Sequence, residues 1–210
     1  MMIKQRLKVI FWSAVVILLP IIYGVSVYDQ LPATMATHWG INNQANGFMP
    51  RALAVFGLPI FMLCLQIIMM AVTWLNSMRE GPAAKFERVL LSIMPILSFV
   101  LYITTIMANL GHNMDIWRIA MTLVGLIFIA IGNYLPVIPA DLNRGPGKKK
   151  WRDHPEAWTR YARRLGYVMV GGGVLCILSI LATPVVSVIV LVVVIVGICV
   201  ASFSVGAKEF

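Results

Sequence analysis

The sequence predicts an all-α integral membrane protein, a bundle of six transmembrane helices with both termini in the cytoplasm. Of the 210 residues, 60% are hydrophobic and only 12% are charged, whereas a soluble domain carries about 25% charged residues. Six apolar stretches are each near the ~20 residues that a helix needs to cross the hydrocarbon core. They are Val9–Val27, Ala52–Leu75, Val89–Leu110, Ile119–Ile138, Leu165–Ala182 and Pro184–Val205. Residues 1–210 are therefore predicted to form one multi-pass domain in the cytoplasmic (cell) membrane.

The first stretch follows Lys4, Arg6 and Lys8, as in a secretory signal. It is longer than the ~7–15-residue apolar core of such a signal, and no small-x-small cleavage pattern follows it. We therefore expect it to be retained as a helix. A β-barrel is excluded because barrel strands alternate apolar and polar residues, which these stretches do not do.

The last two stretches are separated only by Thr183 and Pro184. A proline begins a helix well, because the first turn leaves its N–H position without a partner in any case. The 41 residues from Gly166 to Gly206 are too many for one crossing and sufficient for two, so a hairpin of two helices is predicted here.

Basic residues fix the predicted orientation. With a cytoplasmic N-terminus, every Lys and Arg except Arg51 and Arg118 falls on the inner side, as the positive-inside rule requires. The formal charge of +9 then faces the anionic phospholipid of the inner leaflet, where each nearby basic residue contributes about 1 kcal/mol. Direct binding of nucleic acid explains the same charge less well.

None of the six stretches contains Asp, Glu, Lys, Arg or His. Intramembrane catalysis and ion coupling usually need such groups, so an enzyme or a proton-coupled transporter is not expected. Their polar residues, such as Gln66, Thr73 and Asn109, are predicted to bond to other helices or back to their own helix. His38, His112 and Asp115 lack metal-ligand spacing, so no metal or other cofactor is expected.

The loop Tyr28–Pro50 is the longest predicted outer segment and mixes turn-forming residues with aromatic ones. Its Trp39 and Phe48 are suited to anchoring at the lipid interface. They are equally suited to contacting a partner, and both interpretations stay open.

The inner loop, residues 139–164, is predicted to contain a basic tether, Asp141–Lys150, followed by a helix, Asp153–Gly166. Asp153 is placed to cap this helix, with Glu156 three residues later. Trp158, Tyr161, Ala162 and Leu165 share one face, and Arg160, Arg163 and Arg164 take the other. This pattern predicts an interfacial helix on the inner leaflet. A simple topology anchor and a docking surface for a cytoplasmic partner are the alternatives.

Two blocks of the sequence resemble known families. Leu31-Pro32, His38-Trp39 and Asn46-Gly47, followed by the second stretch, resemble the small DUF1648 domain, here residues 9–75. The second block, residues 116–206, resembles the SdpI-like family through a motif and four later residues. The motif is Gly132-Asn133-Tyr134-Leu135-Pro136, and the later residues are Trp158, Arg163, Leu165 and Gly166.

The SdpI-like family comprises multispan immunity proteins that protect bacteria against a secreted membrane-active peptide toxin. Some members also hold a transcriptional repressor at the membrane. The family usually has Asp where Asn46 stands, and a Gly-Ile-Arg-Thr-Pro-Trp stretch where this chain has Gly147 to Trp151. The resemblance implies an immunity protein; the alternatives are a membrane sensor that sequesters a repressor through the basic inner loop, and a small transporter.

The resemblance and the pattern of the inner loop together assign residues to sites. Those expected to face the toxin or ligand are Pro32, His38, Trp39, Asn46 and Gly47. Those expected to contact an inner-side partner or lipid are Lys148, Lys149, Lys150, Trp151, Trp158, Arg160, Arg163 and Arg164.

Overall fold

The computed structural model describes residues 3–75, 82–140 and 149–208. The helices are α1 (Ile3–Leu18), α2 (Ile21–Ser26), α3 (Leu58–Leu75), α4 (Pro82–Asn109), α5 (Ile116–Tyr134), α6 (Lys149–Asp153), α7 (Pro155–Ser179) and α8 (Pro184–Lys208). Within these ranges, six helical segments are long and apolar enough to cross a membrane. They are Leu7–Ser26, Leu53–Trp74, Lys85–Asn109, Ile116–Val137, Pro155–Ser179 and Pro184–Phe203. The prediction of six spans is thus confirmed by length and composition, and the orientation of the termini stays a prediction.

The chain divides into two compact units. The first contains Met1–Leu75 and Leu91–Trp117, and the second contains Asn76–Leu90 and Arg118–Phe210. Helix α4 passes from the second unit to the first at Leu91, and α5 passes back at Arg118.

In the first unit, α1 packs against α3. The first span is interrupted at Pro20, which separates α1 from α2, because proline has no N–H to continue the helical ladder. The third helix is preceded by a π-helical turn, Leu53–Gly57, that packs against α2. The residues of this turn supply part of the core cluster described below.

The interior polar residues are bonded largely as predicted. Gln66 is fully buried on α3 and donates to the hydroxyl of Ser13 on α1 and to the carbonyl of Leu91 on α4. Thr73, Thr122 and Ser202 each bond back to the carbonyl four residues earlier in the same helix. The Gln66 bonds hold three helices together, whereas the other three satisfy polar groups within a single helix.

The structure differs from the all-α prediction in one place. The loop Tyr28–Pro50 contains an antiparallel hairpin of β1 (Thr34–Trp39) and β2 (Ala45–Pro50). Asn, Gly and Pro are disfavoured in strands, and β2 contains all three, so local sequence does not indicate a strand. Contacts with the helices stabilise it instead, as the next subsection shows.

In the second unit, two helices begin at residues other than those that the sequence pattern indicates. Helix α4 begins at Pro82 and not near Val89, so Lys85, Glu87 and Arg88 are helical, and Glu87 is buried. The helix predicted from Asp153 begins at Pro155 and is continuous with the fifth span. Asp153 ends the short α6 and does not cap α7, because Pro155 occupies the first turn and His154 the capping position.

Candidate functional site: a docked hairpin

A small apolar cluster anchors the hairpin to the first unit. Leu31, just before β1, and Met35, in β1, are both buried. They pack with Ala54 and Val55 of the π-helical turn and with Tyr102 and Ile106 of α4. Burial of two large apolar side chains contributes several kcal/mol, which compensates for the weak strand propensity of the hairpin.

Asn109, at the end of α4, holds the outer edge of β1. Its Oδ1 accepts a hydrogen bond from the Ala36 N–H at 2.8 Å, and its Nδ2 donates to the Ala36 carbonyl at 2.8 Å. The side-chain amide therefore replaces the peptide group of a neighbouring strand. A buried backbone edge must be paired in this way or lose free energy.

Asn43 holds the tip of the hairpin. It lies in the turn Gly40–Gln44 with a positive φ of 63°, a conformation that asparagine tolerates better than other side chains. Its Oδ1 accepts a hydrogen bond from the Ile116 N–H at 2.9 Å, and its Nδ2 donates to the Met114 carbonyl at 2.7 Å. Asn43 thus satisfies one of the unpaired N–H groups at the start of α5.

Arg51 secures the base of the hairpin. Its Nη1 donates to the carbonyls of Tyr28 and Leu31 at 2.8 and 3.1 Å. The guanidinium also lies 4.2 Å from the centre of the Tyr28 ring, a cation–π geometry. One of the two basic residues predicted on the outer side therefore has a structural role.

The remaining face of the hairpin is exposed and carries the predicted site residues. His38 and Asn46 are both exposed, and the His38 Nδ1 lies 2.5 Å from the Asn46 Oδ1. Because the amide oxygen only accepts, the proton of this bond belongs to Nδ1, which leaves Nε2 without a part in this pair. Pro32 is exposed and Trp39 half-buried.

Gly47 allows the His38–Asn46 pair to form. It pairs with His38 in the sheet, where the register is irregular on both sides of His38. A Cβ at Gly47 would lie 2.8 Å from the Cβ of His38, so a side chain there would push the two strands apart. The structure therefore brings His38, Asn46 and Gly47 together.

Comparison with known families identifies this part of the chain. Residues 15–63 match DUF1648, a domain of unknown function. The match runs from the second half of α1 to the start of α3, so it contains the whole hairpin. Comparison with curated proteins and with solved structures finds no match to the chain. The resemblance to DUF1648 is thus confirmed for these residues, and the resemblance to the SdpI-like family stays a prediction.

The Gly132–Pro136 motif has a different environment, in the second unit. A Cβ at Gly132 would lie 2.8 Å from the Gly166 carbonyl oxygen, and one at Gly125 would lie 2.7 Å from the Gly173 carbonyl oxygen. Both pairs join α5 to α7. The two glycines on each helix are seven residues apart, so the two contacts lie on one face of each helix, which we call the α5–α7 seam. Small residues let helix backbones approach this closely. Gly132 of the motif is therefore part of a close approach between α5 and α7.

The end of the motif packs on the same helix. Pro136 lies in a 3₁₀ turn, Leu135–Val137, beside Gly166. Trp158 of α7 donates its indole N–H to the Ile138 carbonyl at 2.6 Å. Asn133 is exposed and Tyr134 half-buried. Gly132, Pro136, Trp158 and Gly166 of the SdpI-like resemblance thus pack the end of α5 and the turn after it against α7, whereas Asn133 is exposed.

The predicted faces of the helix after Asp153 are present at the start of α7. Ala162 and Leu165 are buried, Trp158 and Tyr161 half-buried, and Arg160, Arg163 and Arg164 exposed. The aromatic face also packs on the protein, through the Trp158 bond to Ile138, and on itself; its contact with the inner leaflet stays a prediction. Trp151, Trp158 and Tyr161 have ring centres 4.8–5.7 Å apart. Lys149 is exposed, whereas Lys148 and the side chain of Lys150 lie outside the described residues.

Sequence reasoning missed Asn43 and Arg51 as docking residues and placed Asn109 only among general interhelical bonds. Asn109 bonds a strand that sequence reasoning did not predict, and Asn43 and Arg51 lie at the tip and the base of the same unpredicted hairpin. In the part of the chain that the structure describes, no group of three His, Cys, Asp or Glu side chains is placed to hold a metal.

Proposed function

We propose that this protein is a membrane immunity protein that protects a bacterial cell against a secreted antimicrobial peptide toxin, which it meets at the hairpin Thr34–Pro50. The observation that carries the proposal is the rigid docking of an exposed polar and aromatic surface. Asn109 bonds the backbone of β1, Asn43 in the hairpin turn bonds the backbone at the start of α5, and Arg51 after β2 bonds carbonyls that precede β1. Its outer face presents His38, Asn46 and Phe48. Binding loses less entropy when the receiving surface is already ordered.

The position and charge of the hairpin suit a membrane-active peptide. β1 begins eight residues after α2 ends, and β2 ends three residues before the π-helical turn that leads into α3 begins. Both ends are therefore fixed to spans, which keeps the hairpin at the membrane surface. Neither strand contains Asp, Glu, Lys or Arg, so the surface favours an apolar or amphipathic partner over a highly charged one.

Survival of cells tests this proposal. Cells that express the protein are exposed to secreted membrane-active peptides, and survival is compared with that of cells carrying an empty vector. The double variant His38→Ala, Trp39→Ala should abolish protection while reaching the membrane in normal amount. Gln44→Ala is the matched control, because Gln44 is exposed in the hairpin turn and its side chain bonds to Asn42 of the same turn. Full protection by the double variant would contradict the proposal.

The exposed arginines of α7 favour a second function, a sensor that captures a cytoplasmic repressor. Replacing Lys148, Lys149 and Lys150 with Gln removes three charges from the adjoining segment, and should abolish capture of an acidic partner while sparing protection. The orientation of this variant must be checked, because these charges also set topology. Loss of protection in this variant alone would place the protective surface on the cytoplasmic side.

A further inference from the structure

The two edges of the hairpin differ in their hydrogen bonding. The edge of β1 is closed, because Asn109 bonds to both the N–H and the carbonyl of Ala36. Residues in an antiparallel pair alternate between exchanging hydrogen bonds and pointing their N–H and C=O groups away from each other. The direction of the groups on β2 therefore follows from the register.

The register points the Phe48 backbone outward. The Arg51 N–H donates to the Ala33 carbonyl at 2.9 Å, which makes Ala33 and Arg51 a bonded pair. Two residues along, Met35 and Met49 face each other as the next bonded pair. The next facing pair after Met35 and Met49 is Ala36 and Phe48. This pair does not exchange hydrogen bonds, so its backbone N–H and carbonyl groups point away from each other. The bonds from Asn109 to Ala36 agree with this alternation.

The edge of β2 at Phe48 is open. In this register the N–H and carbonyl of Phe48 point away from β1, and none of the turn, loop and cap bonds of residues 3–75, 82–140 and 149–208 involves Phe48. The Phe48 side chain is 60% exposed. Such an edge accepts an added strand, with main-chain bonds giving affinity and neighbouring side chains giving specificity.

The open edge is short. Pro50 has no N–H to offer, and the irregular register at His38 limits the other end. Pairing over about three residues buries far less than the ~1,000 Å² of a specific protein–protein interface, so the edge alone does not hold two copies together. A membrane-active peptide is different, because the membrane surface raises its local concentration near the hairpin.

We propose that the edge of β2 binds an extended apolar peptide by strand addition, centred on the N–H and carbonyl of Phe48. The Phe48 ring contacts the side chains of the added strand. The identity of the natural ligand, the toxin, rests on the proposed function. The main-chain pairing is a property of the edge and is tested without the toxin.

The experiment uses the full chain in nanodiscs and a fluorescein-labelled hexapeptide of alternating Val and Thr. Because main-chain bonds supply the affinity, this strand-forming probe needs no natural sequence. Its binding is measured by fluorescence polarisation up to about 1 mM, the weak end of specific binding. The matched probe has the same side chains but N-methylated alternate amides, which cannot pair with an edge. It should bind about tenfold more weakly, as expected for one or two lost hydrogen bonds.

The protein side is tested with two variants at one position. Phe48→Pro removes the outward N–H without breaking a bond between β1 and β2, and should weaken binding about tenfold. Phe48→Ala keeps the N–H and should weaken binding only a few-fold. Equal binding of the two probes to the unaltered protein overturns the proposal even if Phe48→Pro fails to fold, as does the absence of probe binding.

Two further results separate strand addition from its alternatives. If the unaltered protein is dimeric in detergent and Phe48→Pro is monomeric, a second copy occupies the edge and the proposal is overturned. If the probe binds as expected but cells gain no protection from any peptide, strand addition stands and the proposed function fails. If Phe48→Pro loses probe binding yet protects fully, the function stands and its recognition is not by strand addition.

Discussion

In the hairpin, the motif residues His38 and Asn46 are exposed and bond to each other, whereas Gly132 of the second motif is buried against Gly166. The two regions therefore respond to substitution differently. A side chain removed from the hairpin face leaves no cavity and no unpaired buried group. A side chain added at the α5–α7 seam meets backbone at once. Exposed motif residues such as His38 and Asn46 are therefore candidates for recognition, whereas a buried motif residue such as Gly132 stabilises the packing of the helices.

The largest expected effect is at the seam. Gly132→Ala places a Cβ 2.7 Å from the Met169 Cβ and 2.8 Å from the Gly166 carbonyl oxygen, so the helices must separate. Overpacking of this kind costs about 1–3 kcal/mol. The free energy of unfolding, measured by SDS titration in mixed micelles, should fall by this amount.

Gly171→Ala is the control for that substitution. No atom lies within 4 Å of a Cβ at Gly171, and alanine favours a helix by about 1 kcal/mol over glycine. The control should therefore be neutral or slightly stabilising. Equal losses in the two variants would show that glycine flexibility, and not close packing, matters at both positions.

This contrast also shows how far the sequence determines the fold. Six spans are predictable, because long apolar runs need no partner to form helices in a membrane. The close approach at Gly166 and Gly173 is predictable from glycine clustering, but its partners Gly125 and Gly132 require knowledge of which helix packs there. Length and composition do not contain that information.

The hairpin is not predictable from local pattern, because its stability comes from residues distant in sequence. Asn109 and Ala36 are 73 residues apart, and so are Asn43 and Ile116. The sequence motif predicts that His38, Asn46 and Gly47 act as a group. The strand register places the three residues next to one another, which accounts for the grouping. The sequence alone indicates Phe48 only as an anchor or a partner contact. The outward direction of its backbone N–H and carbonyl depends on the strand register, which the local sequence pattern does not reveal.

The second prediction concerns the docking of the hairpin. Asn109→Ala removes both hydrogen bonds to Ala36 and leaves the edge of β1 unpaired, which should cost about 2 kcal/mol of local stability. Amide exchange in Thr34–Pro50 should accelerate more than tenfold, while exchange in α7 stays unchanged. The experiment compares this variant with Asn42→Ala, whose side chain contacts only Gln44 of the same turn. Unchanged hairpin exchange in Asn109→Ala would mean that Leu31 and Met35 suffice for docking.

The third prediction sharpens the role of Trp158. Trp158→Phe keeps an aromatic ring but loses the bond from the indole N–H to the Ile138 carbonyl, at a cost of about 1 kcal/mol. Tyr167→Phe is the control, because Tyr167 is 71% exposed on the same helix. The two free energies of unfolding are measured in the same micelles. A larger loss in the control would show that the Trp158 bond contributes little to the packing of α7.

The smallest expected effect on stability is at the His38–Asn46 pair, and it is the most informative about function. Both side chains are exposed, so His38→Ala and Asn46→Ala should each change the free energy of unfolding by less than about 0.5 kcal/mol. The same substitutions should reduce survival in the presence of toxin, because the pair orders the surface that the peptide contacts. If stability and survival fall together and in proportion, the pair serves the hairpin fold alone. A loss of survival at unchanged stability would identify His38 and Asn46 as recognition residues, in contrast to Gly132.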